Sequence, residues 1–296
     1  DKINIRKANT GKRSIVAVAG CVAQAQGKEI MKRSPWVDIV VGPQSYQNLP
    51  ELIAKVDPIK KNKNVKIDFP TIPKFDQLNA KIQERGPSAF LTIQEGCDKF
   101  CTFCVVPYTR GKEVSRSQKD ILNEIRESAK KGVKEVILLG QNVNSYGLKV
   151  PSEKTFAQLL YAVADVEGVE RIRYTTSHPR DMGLDVIQAY RDIPQLTSFL
   201  HLPVQSGSSK ILRRMKRYYT RERYLEVVKQ LREARPDISF STDFIIGFPA
   251  ETEEDFELTM SLLDEVKFSS SFSFFSNSYS YNLALSIVMQ VSLFLC

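Results

Sequence analysis

A chain of 296 residues, 42% apolar and 26% charged, is long enough for one large domain or two modest ones and has the composition of a folded protein in water. Its net charge of +8 fits either an anionic partner or a Lys-rich solvated surface. Three of its five cysteines crowd into one short stretch, which excludes a secreted disulfide framework and favours metal ligation in a reducing, cytoplasmic compartment. The apolar run 283–295 carries Ser and Gln and is too short to span a bilayer.

The chain opens on Asp1-Lys2-Ile3-Asn4, with neither a signal pattern nor an initiator Met, and is read as starting inside a domain. Residues 14–20 predict a buried strand, 24–32 a helix, 37–42 a second buried strand and 49–56 a short helix. This strand–helix alternation makes 1–57 part of a small α/β domain with a parallel sheet. Residues 58–86 are rich in Lys, Asn and Pro without a period and read as a linker. From Ser88 a βα repeat sets in, with strands predicted at 89–93, 135–139, 171–176, 198–202, 239–246 and, weakly, 271–274. Between them lie amphipathic helices. One has Ser117 as N-cap and Ile121, Leu122, Ile125 and Ala129 on one face; another carries Tyr224, Leu225, Val228 and Leu231; a third starts at Thr252 with Asp255 three residues on. Repeated βα units predict a parallel sheet closed or partly closed into a barrel over 87–274, with function at the C-terminal ends of its strands. No cap, turn signal or amphipathic pattern organises 275–296, which is expected to lie outside the fold.

The decisive segment is Gly96-Cys97-Asp98-Lys99-Phe100-Cys101-Thr102-Phe103-Cys104, directly after the first barrel strand. Three thiolates at this spacing can wrap one side of a [4Fe–4S] cube, which normally takes four cysteines and is here left with an open iron. The alternative is structural zinc, which prefers four ligands in two separated pairs. Only two histidines are present, and neither His178 nor His201 lies near the cysteines in sequence. Arg213-Arg214-Met215-Lys216-Arg217-Tyr218-Tyr219 is the densest basic run, suited to phosphates and unpaired bases or to a solvated helix face. Cys21 stands alone after a strand, where a buried small hydrophobe is the default.

The cysteine motif resembles that of the radical S-adenosylmethionine (SAM) superfamily. Its flanks, Gln94-Glu95-Gly96 and Val105-Val106-Pro107-Tyr108-Thr109-Arg110-Gly111, resemble the methylthiotransferase family. So do Leu139-Gly140-Gln141-Asn142, Thr176-Ser177-His178-Pro179, Pro203-Val204-Gln205-Ser206-Gly207 and Ile246-Gly247-Phe248-Pro249. The resemblance runs from about Ser14 to Phe274. It implies an α/β fold, a partial (β/α)6 radical SAM barrel preceded by the C-terminal half of a small methylthiotransferase N-terminal domain. It implies a [4Fe–4S] cluster on Cys97, Cys101 and Cys104, SAM on its open iron, and SAM contacts from Gly140, Gln141, Asn142, Ser177, Gln205 and Ser206. Cys21 matches one ligand of an auxiliary [4Fe–4S] cluster whose other two cysteines would lie upstream of Asp1, so that one cluster is expected here. Arg213, Arg214, Lys216 and Arg217 are expected on RNA, and His178 receives no catalytic role.

The implied reaction is radical insertion of a methylthio group at C2 of isopentenyladenosine beside the tRNA anticodon, at position 37. A flavodoxin or ferredoxin system would supply electrons to a monomer. The sister activities on threonylcarbamoyladenosine or a ribosomal protein are alternatives, as is a non-catalytic remnant that binds tRNA or a cluster. The last fits a chain read as truncated at both ends.

Overall fold

The computed structural model describes residues 14–56, 64–69, 86–150 and 153–276, and the backbone of 291–293. They form two units: one comprises the described residues up to Phe69 together with 105–111, the other the remaining described residues from Gly86 on.

In the first unit, β1 (Ala17–Ala19), β2 (Ile39–Val41) and β3 (Asn64–Lys66) make a parallel sheet, with Ala17 opposite Ile39 and Ile39 opposite Asn64. Alternation along β2 feeds two small cores: Val40 packs with Ala23 and Met31 on one face, Ile39 and Val41 with Leu52 and Val56 on the other. The predicted helix over 24–32 is two, α1 (Cys21–Gln26) and α2 (Lys28–Arg33), because Gly27 takes a φ of 48° between them. α3 (Leu49–Ala54) follows a 3₁₀ turn over Pro43–Asn48. Two boundaries differ from expectation. β3 lies inside the stretch read as a linker: a three-residue edge strand is too short to show alternation, and only its ladder to β2 defines it. The segment with α4 (Val106–Thr109), directly after Cys104, belongs to this unit, where Gln44 Nε2 donates to the Arg110 carbonyl at 2.9 Å.

The second unit is the βα repeat. β4 (Ser88–Thr92), β7 (Glu135–Leu139) and β8 (Arg171–Tyr174) form one parallel ladder; β9 (Phe199–His201), β10 (Ser239–Ile246) and β11 (Ser270–Phe275) form another. A parallel bridge from Ile172 to Leu196 links them. Six parallel strands thus run in chain order, and among the described residues no ladder joins β4 to β11, so the barrel is an open arc. β5 (Gln94–Glu95) and β6 (Val114–Ser115) form a small antiparallel pair after β4. The tail read as outside the fold contributes β12 (Val291–Leu293), antiparallel to β11 with Leu293 opposite Ser271. The tail's Leu283 and Ile287 lie outside the described residues.

Helices α5 (Gln118–Lys130), α6 (Phe156–Ala164), α7 (Leu184–Asp192), α8 (Ser209–Arg214), α9 (Arg221–Ala234) and α10 (Glu253–Val266) separate the strands. Their starts are chemically marked. Ser117 Oγ accepts from Asp120 N, Thr155 with Gln158 and Thr252 with Asp255 form capping boxes, and Thr220 accepts from Arg223 N. Each such cap is worth about 1 kcal/mol. Their apolar faces, with Ile121, Ile125, Leu159, Tyr190, Tyr224, Leu231 and Leu262, join Leu91, Leu138, Ile172, Leu200 and Phe240 of the strands in one core. That packing holds the strand C-terminal ends, and the loops beyond them, in fixed positions.

Candidate active site

The cysteine loop leaves the end of β4 and is tied at its base. Gln94 and Glu95 pair with Ser115 and Val114, so the excursion between them starts and ends on one clamp. Gly96 (φ 78°) and Phe100 (φ 50°) turn the loop through left-handed conformations, and Cys104 N donates to the Cys101 carbonyl at 2.9 Å. None of Cys97, Cys101 and Cys104 is in a disulfide; Cys101 is buried and the other two are partly exposed. Burial pushes the Cys97 thiol up to about 11, opposed by the Lys99 backbone N–H and reinforced by Cys104 and Cys101. The Cys97 sulfur therefore feels the other two, and a bound metal would be what drives off its proton. Among the described residues, no three His, Cys, Asp or Glu side chains group tightly enough to hold a metal ion. In a cube each thiolate meets a different iron, so the cysteines surround a body and need not converge on a point.

A second web fixes this loop to the end of β7. Gln94, fully buried, accepts at Oε1 from the backbone N–H of Gln141 (3.0 Å) and Asn142 (3.2 Å) and donates from Nε2 to the Gly96 carbonyl (2.7 Å). Gln141 Oε1 accepts from Gly96 N at 2.8 Å. Gly140 lets this happen: a Cβ there would sit 2.6 Å from Gln94 Oε1. Gly140 and the Gln141 oxygen, expected on SAM, are thus engaged in holding the cysteine loop. Asn142 Nδ2 donates to Asp181 Oδ2 at 2.7 Å, and Asp181 in turn pairs with Lys99 of the cysteine loop at 2.6 Å.

What remains free at the strand ends is informative. Asn142 Oδ1, Ser177 Oγ and His178 Nε2 are buried and have no hydrogen-bond partner among the described residues. His178 Nδ1 accepts from Arg180 N at 3.2 Å, which assigns the ring proton to Nε2. Burial, with Arg217, Lys99 and Arg180 nearby, holds His178 well below the ordinary histidine value, so the ring is neutral. Asn144 fixes the His178 backbone, accepting from its N–H and donating to its carbonyl, both at 2.9 Å. One acceptor, one hydroxyl and one N–H donor are thus left waiting for polar groups. Buried polar atoms are rarely left unpaired, and this set suits the amino, carboxylate and hydroxyl groups of SAM. The residues fit the cluster and its ligand.

Gln205, at φ 76°, is carried by β10: its N–H donates to the Asp243 carbonyl and its carbonyl accepts from Ile245 N, both at 2.9 Å. Ser206 is fully buried and its Oγ accepts from Ser208 N at 3.1 Å. Of the basic run, Arg213, Arg214 and Lys216 are exposed, but Arg217 is not an RNA-facing residue: it is 5% exposed. Once α8 ends at Arg214 burial alternates along the chain, and Arg217 and Tyr219 turn inward between exposed Lys216, Tyr218 and Thr220. Thr102 N donates to the Met215 carbonyl (3.1 Å) and Thr102 Oγ1 to that of Arg214 (3.2 Å), strapping this segment to the cysteine loop. Sequence reasoning missed Gln94, Lys99 and Asp181 as parts of the site. Gln94 carried a signal in its place next to the cysteines; Asp181, 82 residues from Lys99, carried none.

The model of the radical SAM superfamily matches residues 91–263. The chain belongs to the radical SAM superfamily. It is 56% identical over 264 residues to the tRNA-2-methylthio-N(6)-dimethylallyladenosine synthase of Rickettsia rickettsii (strain Sheila Smith), covering 88% of this chain and 59% of that protein. It is 55% identical over 262 residues to the enzyme of the same name from Roseobacter denitrificans, with the same coverage. The chain thus spans about three fifths of the length of these relatives. Among solved structures, the cobalamin-dependent S-adenosylmethionine radical enzyme OxsB with aqua-cobalamin bound superposes with a TM-score of 0.63 at 14% identity, over 88% of this chain and 41% of that one. That likeness places this radical SAM chain in the same fold. In the first unit, Cys21 opens α1 at the end of β1 and is partly exposed. No helix among the described residues is long and apolar enough to cross a membrane.

Proposed function

We propose that this chain is the radical SAM part of a tRNA methylthiotransferase acting on isopentenyladenosine at position 37. The observation that carries it is the joining of the three cysteines, through Gln94, Gln141 and Asp181, to strand ends where Asn142 Oδ1, Ser177 Oγ and His178 Nε2 find no hydrogen-bond partner among the described residues. The relatives' names supply the substrate class.

Cys97, Cys101 and Cys104 hold the cluster. Bound there, the cluster with SAM supplies one-electron chemistry that can remove a hydrogen atom from an unactivated C–H bond. Asn142 Oδ1 would accept from the SAM amino group, Ser177 and the neutral His178 would donate to its oxygens, and Gln205 and Ser206 line the same ends. Buried Gln94 and Tyr219 keep water from the cysteine loop. Exposed Arg213, Arg214 and Lys216 take RNA phosphates. Cys21 would supply one thiolate of an auxiliary cluster only with two cysteines from outside this chain, so one cluster is expected here, and a small one-electron carrier protein of the cytoplasm supplies electrons to a monomeric enzyme.

The test is anaerobic reconstitution with iron and sulfide. About four irons should bind at the triad, each Cys→Ala change there should abolish that cluster, and reduced protein should cleave SAM to 5′-deoxyadenosine. Undiminished iron after Cys101→Ala defeats the cluster assignment. Methylthiolation of threonylcarbamoylated tRNA in preference to isopentenylated tRNA defeats the substrate assignment.

A further inference from the structure

Arg217 is the most deeply placed cation near the cysteine loop. It is 5% exposed, and among the described residues no carboxylate forms an ion pair with it. An arginine cannot discharge itself by losing its proton, so a buried one needs an anion or several acceptors. Its Nη2 donates to the Pro203 carbonyl at 2.7 Å and its Nε to Tyr219 Oη at 3.0 Å. Tyr219 Oη in turn donates to the Val204 carbonyl at 2.8 Å, and the guanidinium lies 5.4 Å from the Tyr219 ring centroid. These contacts hold the plane but leave the charge unbalanced. The remaining nitrogen, Nη1, points at Cys101 Sγ at 3.6 Å. The arrangement is held from both sides, because the Thr102 strap binds the cysteine loop to Met215 and Arg214, just upstream of Arg217.

We propose that Arg217 is a positioning residue that sets the reduction potential of the cluster on the cysteine loop, by donating a hydrogen bond to the Cys101 sulfur and supplying a fixed buried positive charge beside it. The proposal rests on the cluster assignment made above. Reduction adds one electron, from an external one-electron donor, to a body that already carries thiolate charge. A positive charge a few ångströms away stabilises the reduced form more than the oxidised one, and low dielectric magnifies the difference. Hydrogen bonds to the sulfurs and net charge are the levers by which proteins move such potentials. Both act here through one side chain, and its burial keeps salt from screening it.

The experiment is a redox titration of the reconstituted full chain, without SAM, followed by electron paramagnetic resonance, on wild type, Arg217→Gln and Arg217→Lys. Gln keeps a donor and loses the charge; Lys keeps the charge and loses the fork. In Arg217→Gln the midpoint should become more negative, cutting the reduced-to-oxidised ratio at a fixed solution potential about tenfold, or about 59 mV for a one-electron couple. Arg217→Lys should recover most of that. An unmoved midpoint in Arg217→Gln with full iron overturns the proposal. Weakened SAM binding alongside an unmoved midpoint reassigns Arg217 to SAM and also overturns it. Loss of iron from both variants makes Arg217 a structural clamp, which overturns it too. Absence of a cluster from the wild type instead fails the underlying cluster assignment, a distinguishable result.

Discussion

Gln94 and Gln141 hold each other's neighbourhoods: Gln94 Oε1 accepts from the Gln141 backbone N–H at 3.0 Å, and Gln141 Oε1 accepts from the N–H of Gly96, two residues past Gln94, at 2.8 Å. The end of one barrel strand and the base of the cysteine loop are thereby a single rigid piece. Gln94→Ala should leave the backbone N–H groups of partly buried Gln141 and buried Asn142 unpaired and cost about 1–3 kcal/mol. Gly140→Ala, which drives a methyl to 2.6 Å from Gln94 Oε1, should cost a similar amount. The double variant should cost less than the sum, because the first change removes what the second collides with. Urea unfolding of the four proteins measures this; strict additivity would mean the two side chains do not meet.

Asp181 is the hub between Lys99 and Asn142, and the Lys99 and Asp181 side chains keep only 17% and 9% of their exposure. Asp181→Asn should strand a nearly buried ammonium and destabilise the chain by about 3 kcal/mol, the low end for breaking a buried pair. Lys99→Met in that background should restore part of the loss. Iron released to a chelator over time should accelerate in Asp181→Asn and slow again in the double variant.

His178 is held well below its ordinary pKa by burial, so the unfolded chain binds its proton first as pH falls. Stability should then drop below about pH 6.5, with a slope from this residue of at most about 1.4 kcal/mol per pH unit. His178→Gln should lose that part of the slope between pH 7 and pH 5. Parallel stability–pH curves for the two proteins would refute a neutral buried ring.

Asp255 closes the N-terminus of α10 while also meeting Lys210 (2.7 Å) and Ser208 (2.6 Å). Lys210, then Ser208, hold its carboxyl well below the usual range. The stabilisation is therefore present above about pH 4 and lost as pH falls further. Asp255→Asn should cost about 1–2 kcal/mol at pH 7, and the gap to wild type should narrow on acidification. Thermal melts at pH 7 and pH 3 check both statements.

Exposed Arg213, Arg214 and Lys216 should be replaceable by alanine together without loss of fold. The triple variant should bind tRNA more weakly and with a shallower dependence on salt, by about one unit of log–log slope for each phosphate no longer neutralised. Filter binding at several salt concentrations gives the slope. An unchanged slope would place the RNA elsewhere.

Some of this was legible without coordinates, because it is local. Strands over Glu135–Leu139 and Ser239–Ile246 have the bounds that their apolar runs predict. Ser117 and Thr252 cap the helices that their side chains announce, because a cap spans only three residues. The cysteine triad is also local: its spacing alone brings three sulfurs onto one loop. The break at Gly27, the edge strands β3 and β12, and the inward turn of Arg217 were not legible. Two- and three-residue strands are defined by a partner's hydrogen bonds, and a basic run carries no mark saying which of its members faces in. Least legible were the pairings that make the site: Gln94 to Gln141 spans 47 residues, Lys99 to Asp181 82, and Cys101 to Arg217 116. Sequence alone determined which residue types carry the chemistry and on which strand ends they sit. Only the tertiary structure decided which of those polar groups are spent on holding one another and which are left free, because pairing across the barrel follows from side-chain packing and not from any period along the chain.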